Sequence, residues 1–328
     1  MAAERTPPRV LCLRPEADFA AVGVTPSPEL AIEYAANEHA VAQIGPEVAG
    51  LVLPAAGAAL APELFTGAHG LRIIQFTGAG TDRVAPELVP AGCAVCNVPG
   101  ASAPDVAAYV VLAAGSLWRG LCAGDALVKS GRYGAARSAL APANVRGFRG
   151  MRVGIVGFGD IGIHAARLFD ALGAEVSFAD PAPPDRPEVA RYPRRSVAEL
   201  CAFAELLSVH VPLLPATRGL IGAEELAALG PSGVLVNAAR GGVVDEAALI
   251  AALDAGQLRG VALDVYGEEP LPPDSPLLAA AARHGERMLL SPHIAGVTPE
   301  ASRVLFATAW ENVAAVLLAD VAPEHRVR

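Results

Sequence analysis

The sequence predicts an α/β protein built on parallel sheets, and three observations carry that reading. Short aliphatic and β-branched runs alternate with longer stretches of helical periodicity over most of the 328 residues, the pattern of βαβ units rather than of a sandwich or a helical bundle. The alternation breaks at Asn97-Val-Pro-Gly100 and restarts after the Gly- and Arg-rich stretch 146–150, so the chain reads as two such series. Its length is enough for two ordinary domains with well-buried cores.

In the first series the strand candidates are residues 9–13, 50–53, 71–76 and 94–97. After the break, Ser102 is placed to cap a long apolar helix over 103–118. The second series has strands at 153–156, 175–179, 206–210, 233–237, 260–264 and 288–291, with helices in the gaps. A final helix over 299–318 follows the last strand and is expected to cross back to the first domain. No solenoid-type repeat is present.

Composition removes several function classes. The formal net charge is −9 with no Lys/Arg run, so there is no electrostatic footprint for gripping nucleic acid. Lys129 is the only lysine, which leaves a single candidate for Schiff-base chemistry. The five cysteines, Cys12, Cys93, Cys96, Cys122 and Cys201, are odd in number, and the one C-x-x-C pair lacks a second pair or a nearby His. No metal site is expected; the cysteines read as small apolar residues of a reduced, cytoplasmic chain. Met1-Ala-Ala-Glu-Arg-Thr-Pro-Pro has no apolar core after it, unlike a signal peptide. Because Pro, Gly and charged residues interrupt every run before about 18 apolar residues, no membrane span is expected.

Gly157-Phe-Gly159-Asp-Ile-Gly162 directly follows the strand at 152–156 and opens a helix with apolar positions Ile161, Ala165, Leu168, Phe169 and Leu172. Each glycine has a physical task. The first makes the tight turn, the second lets backbone approach a pyrophosphate, and the third allows close packing of helix on strand. The helix N-terminus then offers free N–H groups to phosphates. The following strand leads to Asp180, eighteen residues beyond Gly162, where a carboxylate can bind both ribose hydroxyls and repel a 2′-phosphate, favouring NAD over NADP. The plainer alternative is a helix-capping glycine turn with an unrelated surface Asp. Asp160 adds a carboxylate near the phosphates, where many such motifs carry a neutral or basic residue.

Three polar residues sit just after predicted strands of this second series: Arg240, Glu269 and His293. In an open parallel sheet the carboxyl ends of the strands converge on the ligand crevice. There arginine can bind a carboxylate and polarise a carbonyl by forked hydrogen bonds. Histidine can exchange a proton near neutrality. A glutamate bonded to the imidazole would fix its tautomer and favour the protonated form, raising its pKa. Each also has a bland reading, His293 as a turn histidine, Glu269 as a solvated loop charge and Arg240 as a surface residue; spacing alone leaves both readings open.

The residues around them narrow the choice. Val236-Asn-Ala-Ala-Arg-Gly-Gly-Val-Val-Asp-Glu-Ala-Ala-Leu249, Gly260-Val-Ala-Leu-Asp-Val265 followed by Glu269-Pro270, Ser291-Pro-His-Ile-Ala-Gly296, and His210-Val-Pro212 with Thr217 together resemble the D-isomer-specific 2-hydroxyacid dehydrogenase family. Phe76-Thr-Gly-Ala-Gly-Thr-Asp82 and Asn97-Val-Pro-Gly100 resemble its substrate-domain and crossover motifs. The resemblance implies two Rossmann- or flavodoxin-like domains, with an NAD-binding domain over residues 99–297 inserted into a discontinuous substrate domain of residues 1–98 and 298–328. It implies interconversion of a 2-oxo acid and its D-2-hydroxy acid with NAD(H). Arg240, aided by backbone N–H groups at Ala79 and Gly80, would bind the carboxylate and oxo group. His293, partnered by Glu269, would act as general acid/base. For the cofactor the likeness points to Gly157, Gly159 and Gly162, to Asp160 and Ile161 at the pyrophosphate, and to Asp180 at the ribose. Val211, Pro212 and Thr217 would line the adenine side, with Ala238 and Ala239 near the nicotinamide ribose and Asp264 at the carboxamide, although an Asp at a strand end is also ordinary turn chemistry.

The chain departs from the family at the crossover helix, with Ser102, Ala103 and Ala108 where many members carry Asn, Ser and Glu. About thirty residues follow Gly296, so the regulatory domain of many phosphoglycerate dehydrogenases is not expected. A homodimer is implied, with contacts from the region 103–149. Two further readings stay open. One is a formate dehydrogenase-like enzyme, although those carry glutamine where Glu269 stands. The other is an NAD-sensing scaffold like the dehydrogenase-shaped corepressors.

Overall fold

A computed structural model describes residues 6–141 and 145–327; the N-terminal stretch 1–5, read above as no leader, lies outside them. The chain divides into two compact units, Met1–Ser102 with Val297–Arg328, and Ala103–Gly296. The sequence reading puts the joins at 98 and 298. Each unit carries its own parallel sheet.

In the first unit the strands are β1 (Arg9–Cys12), β2 (Ala31–Tyr34), β3 (Val48–Leu53), β4 (Ile73–Phe76) and β5 (Ala94–Cys96). Their order is β2-β1-β3-β4-β5 and every pairing is parallel, the flavodoxin-like arrangement. Sequence periodicity misses β2. It lies at the sheet edge, where its residues alternate between half-buried and exposed, whereas β4 is buried throughout and reads as a continuous apolar run.

The last helix, α10 (Pro299–Ala314), belongs to this unit and covers one face of its sheet. Phe306, Trp310 and Val313 join Val10, Val52 and Ile73 in one core cluster. Phe19 of α1 (Glu16–Ala21) packs 4.7 Å from the Phe306 ring and 5.4 Å from Trp310. Inside this apolar layer the buried Asn312 donates to Gln75 Oε1 at 3.0 Å, and Gln75 donates to the Phe76 carbonyl at 2.8 Å, so the polar amides are satisfied mutually. Along this helix Glu300, Arg303 and Glu311 interrupt any charge-free run of membrane length, as expected. Pro299–Ala319, 21 residues, is nonetheless long and apolar enough to cross a membrane by length and composition, with its charges few enough to leave the mean hydropathy high. Phe306, Trp310, Val313, Val316 and Leu317 of this stretch join the core against the sheet, while Val304 is exposed.

The second unit has β6 (Arg152–Val156), β7 (Glu175–Ala179), β8 (Leu206–Val209), β9 (Val234–Asn237), β10 (Gly260–Leu263) and β11 (Met288–Leu290), ordered β11-β10-β9-β8-β6-β7 and all parallel. A single parallel bridge joins Phe178 to Arg194 on the outer side of β7. That bridge stands where a third strand would lie in the 3-2-1-4-5-6 order of dinucleotide-binding sheets. The order reverses between β6 and β8, and ligands of open α/β sheets bind at such a switch point, beyond the carboxyl ends of the strands.

Helices α2 (Ala103–Arg119) and α5 (Asp160–Ala171) cover one face, meeting through small residues such as Ala107, Ala114, Ala165 and Ala166. Helices α6 (Val197–Phe203), α7 (Ala223–Leu229), α8 (Glu246–Asp254) and α9 (Pro276–His284) belong with the other. The buried face of α5 is Gly162, Ile163, Ala165, Ala166 and Phe169. Leu168 and Leu172 are exposed, which corrects the expected apolar stripe; the close approach of α2 selects the alanine face instead. Cys12, Cys93, Cys96 and Cys201 are buried. Burial pushes their thiols up to about 12, 12, 11 and 12 respectively, so they are poor nucleophiles.

Candidate active site

The glycine turn after β6 explains its own composition. Gly157 has φ +89, and a Cβ there would lie 2.6 Å from the His210 carbonyl oxygen; one at Gly162 would lie 2.2 Å from the Gly157 oxygen. Both positions therefore admit only glycine, one for conformation and contact and the other so that α5 can seat on the turn. Gly159 differs, since nothing lies within 4 Å of its Cβ position. That open face sits at the start of α5, whose N-terminus has no side-chain cap hydrogen bond. Unsatisfied helix N–H groups beside an open glycine form a cradle for a phosphate group. The residues present thus fit the diphosphate of a dinucleotide.

Asp180 follows β7. Its Oδ2 accepts the Phe158 N–H at 2.7 Å and its Oδ1 accepts the Ala182 N–H at 2.8 Å, so the carboxylate also ties the glycine turn to the loop after β7. Each oxygen keeps acceptor capacity for a hydroxyl. Asp160, the first residue of α5, pairs with Arg186 at 2.8 Å. Ile161 packs half-buried against the core.

Across the switch point, β8 runs into His210, Val211 and Pro212. Thr217 Oγ1 donates to the Pro212 carbonyl at 2.6 Å and accepts the Leu214 N–H at 2.8 Å, closing this segment into a turn. Part of His210 reaches solvent, but its Nδ1 is sealed, with no hydrogen-bond partner among the described residues, and its Nε2 meets Ser208 Oγ at 2.8 Å. Burial pushes this imidazole down to about 3.

After β9, the buried Asn237 accepts the Ala239 N–H at 3.1 Å and donates to the Arg240 carbonyl at 3.0 Å. The Ala238–Arg240 turn is thereby fixed. A Cβ at Gly241 would lie 1.8 Å from the Tyr266 carbonyl oxygen, so only glycine lets the Arg240 loop lie against the loop after β10.

That second loop carries Glu269, and the loop after β11 carries His293. His293 Nδ1 donates to Glu269 Oε2 at 2.7 Å. Glu269 Oε1 accepts the Tyr266 N–H at 3.0 Å. Burial raises the Glu269 carboxyl, but the His293 bond and charge, the Tyr266 N–H and the Arg240 charge outweigh it and hold the group below the ordinary carboxylate range. Arg240 is thus near enough for its charge to act on the pair. With Nδ1 committed to Glu269, Nε2 is the nitrogen left to exchange a proton.

His293 has φ +55, a left-handed conformation costly for a residue with a side chain. The buried Asp264 holds it there. Asp264 Oδ1 accepts Ser291 Oγ at 2.6 Å and the Ile294 N–H at 2.9 Å, while Oδ2 accepts the Ala295 N–H at 2.8 Å. Ser291 Oγ also meets Tyr109 Oη of α2 at 2.5 Å, and Tyr266 Oη donates to the Ser291 carbonyl at 2.8 Å. Burial pushes the Tyr266 phenol up to about 12, so it remains a donor. Sequence reasoning missed Tyr109, Tyr266 and Ser291, whose partners lie far along the chain; only the position of Ser291, two residues before His293, signals it.

Ala79 and Gly80 lie in the first unit, on the loop after β4. That loop is pinned by Asn97 Nδ2, which donates to the Ala79 carbonyl at 2.7 Å, and by the Val98 N–H to the Gly78 carbonyl at 2.9 Å. Among the described residues, no cluster of three His, Cys, Asp or Glu is arranged to hold a metal.

Residues 111–295 match the family model described as "D-isomer specific 2-hydroxyacid dehydrogenase, NAD binding domain". An (S)-sulfolactate dehydrogenase from Chromohalobacter salexigens is 35% identical over 254 residues, 76% of this chain and 79% of that one. The chloroplastic D-3-phosphoglycerate dehydrogenase 2 of Arabidopsis thaliana is 33% identical over 268 residues, 81% of this chain, but the chain spans only 41% of that protein's length. Among solved structures, the pyruvate reductase of Chlamydomonas reinhardtii superposes with a TM-score of 0.78 at 27% identity, covering 97% of this chain and 98% of that one.

His210, neutral and with its Nδ1 sealed from solvent, makes stability depend on pH. Its folded value, about 3, lies below the ordinary value of 6.5. The unfolded chain therefore takes up the proton first, and stability falls as pH drops from about 6.5 towards 3. Urea unfolding at intervals from pH 7 to 4 should show a slope from this residue of up to about 1.4 kcal/mol per pH unit. His210→Asn should lose that part of the slope; an unchanged slope would contradict a neutral His210.

Proposed function

The chain belongs to the D-isomer-specific 2-hydroxyacid dehydrogenase family, and from that premise we propose that it is an NAD(H)-dependent oxidoreductase interconverting a 2-oxo acid and its D-2-hydroxy acid. The observation that carries this reading is the 2.7 Å pair of His293 and Glu269, held beside Arg240 at the carboxyl ends of the strands in the NAD-binding unit. The named relatives support the substrate class, since sulfolactate, phosphoglycerate and pyruvate are all 2-hydroxy or 2-oxo acids.

Bound NADH supplies the hydride. The remaining work belongs to the chain. Arg240 binds the substrate carboxylate and polarises the 2-oxo group with its planar fork of donors. His293 holds a proton at Nε2 and delivers it to the oxygen as that atom gains charge, or takes it back in the oxidative direction. Glu269 keeps Nδ1 protonated and the ring in orientation. The glycine turn and α5 hold the diphosphate, and Asp180 binds the adenosine ribose diol, favouring NAD(H). Thr217 shapes the Val211–Pro212 turn beside the adenine, Ala238 and Ala239 lie along the nicotinamide ribose, and Asp264 serves the carboxamide end mainly by fixing the His293 loop.

A homodimer is part of the proposal. Leu112 of α2, Leu121 and Val128 of α3 (Leu121–Lys129) and Tyr133 of α4 (Tyr133–Ala139) are large apolar side chains left exposed, a surface suited to a second copy.

The test is oxidation of NADH by the purified protein across a panel of 2-oxo acids. One or more acids should be turned over, NADH should be preferred to NADPH, and His293→Ala should cut turnover by about 10²–10⁴-fold. Turnover that survives in His293→Ala, or NADH binding without turnover of any acid, would contradict the proposal. Light scattering of the same sample should give twice the 33.4 kDa chain mass; a monomer would contradict the dimer.

A further inference from the structure

The charge of Asp160 is out of place for the site it occupies. It is the first residue of α5, where a carboxylate suits the positive end of the helix but repels an incoming diphosphate. Asp180 adds a second carboxylate on the other side of the same turn, bonded to Phe158 N–H. A dinucleotide arriving there meets two like charges.

Arg186 answers the first of them. Its Nη1 lies 2.8 Å from Asp160 Oδ1, with both side chains a little under half exposed. An ion pair this exposed contributes little to fold stability, so stability does not account for its position. The loop that carries Arg186 is held stiffly. Pro181, Pro183 and Pro184 limit its backbone freedom, Arg194 Nη2 donates to the Pro181 carbonyl at 2.8 Å, and the Val189 N–H donates to the Arg186 carbonyl at 3.0 Å. The guanidinium has five N–H donors in a fixed fork, and contact with one carboxylate oxygen uses only part of it.

We propose that Arg186 is a cofactor-binding residue of this chain, offsetting Asp160 and presenting its remaining donors to the diphosphate of the dinucleotide. This rests on the reading that the unit binds NAD(H), and adds to it a residue outside the glycine motif. A cation reaching over from the loop after β7 does the work that a neutral or basic residue at position 160 does directly in other motifs of this kind.

The test is equilibrium binding of NADH and of ADP-ribose to the full chain, by fluorescence and by calorimetry. Arg186→Ala should raise both dissociation constants by about tenfold, the size of one charge-assisted contact. Arg186→Lys should recover part of the loss. The double variant Asp160→Asn with Arg186→Ala should bind more tightly than Arg186→Ala, recovering the share of the loss that comes from the uncompensated carboxylate but not the share that comes from the lost contact. That rescue separates charge compensation from collapse of the loop, which Asp160→Asn could not repair. Binding by Arg186→Ala equal to the parent, or a double variant as weak as Arg186→Ala alone, would overturn the proposal. A parent protein that binds neither ligand would instead defeat the cofactor reading, and this inference with it.

Discussion

The buried carboxylate of Asp264 is the constraint on which the site depends. Three hydrogen bonds from Ser291, Ile294 and Ala295 converge on its two oxygens, and they hold His293 at a positive φ that its side chain disfavours. Without that tether the loop after β11 has no reason to present the imidazole to Glu269. A carboxylate that is almost fully buried is tolerable only when hydrogen-bonded in this way, so the tether and the burial require each other. Tyr266 joins the two loops from the other side, with its N–H on Glu269 and its hydroxyl on the Ser291 carbonyl.

The parallel sheet supplies what these contacts cannot. With every strand of the second unit pointing the same way, the loops after β6, β8, β9, β10 and β11 emerge at one edge. The glycine turn, the Thr217 turn, Arg240, Glu269 and His293 are therefore neighbours by topology before any side chain is placed. Close approach finishes the arrangement. Gly157 and Gly241 bring backbone against backbone where a Cβ would collide, so the glycines define distances between loops as well as turns within them.

Much of this was legible in the sequence, for reasons that differ by element. Strands buried on both faces, such as β4 and β9, are unbroken apolar runs; the edge strand β2 is not, and the strand reduced to the Phe178–Arg194 bridge leaves almost no local trace. Helix α5 was legible as a helix, but its buried face was not, because α2 packs on the alanines and leaves Leu168 and Leu172 outside. Gly157, Gly159, Gly162, Arg240, Glu269 and His293 stand in motifs whose chemistry is local. Tyr109 and Arg186 act through partners brought near by the fold, Ser291 in one case and Asp160 in the other. Neither has a spacing that announces it.

On the proposed mechanism His293 exchanges the substrate proton, protonated for reduction and neutral for oxidation. Steady-state rates in both directions, measured over the same pH range, test it most directly. Opposite trends are expected, with kcat/KM for 2-oxo acid reduction falling as pH rises, that for 2-hydroxy acid oxidation rising, and both trends flattened in His293→Ala. Parallel trends in the two directions, or trends that persist unchanged in the variant, would contradict it.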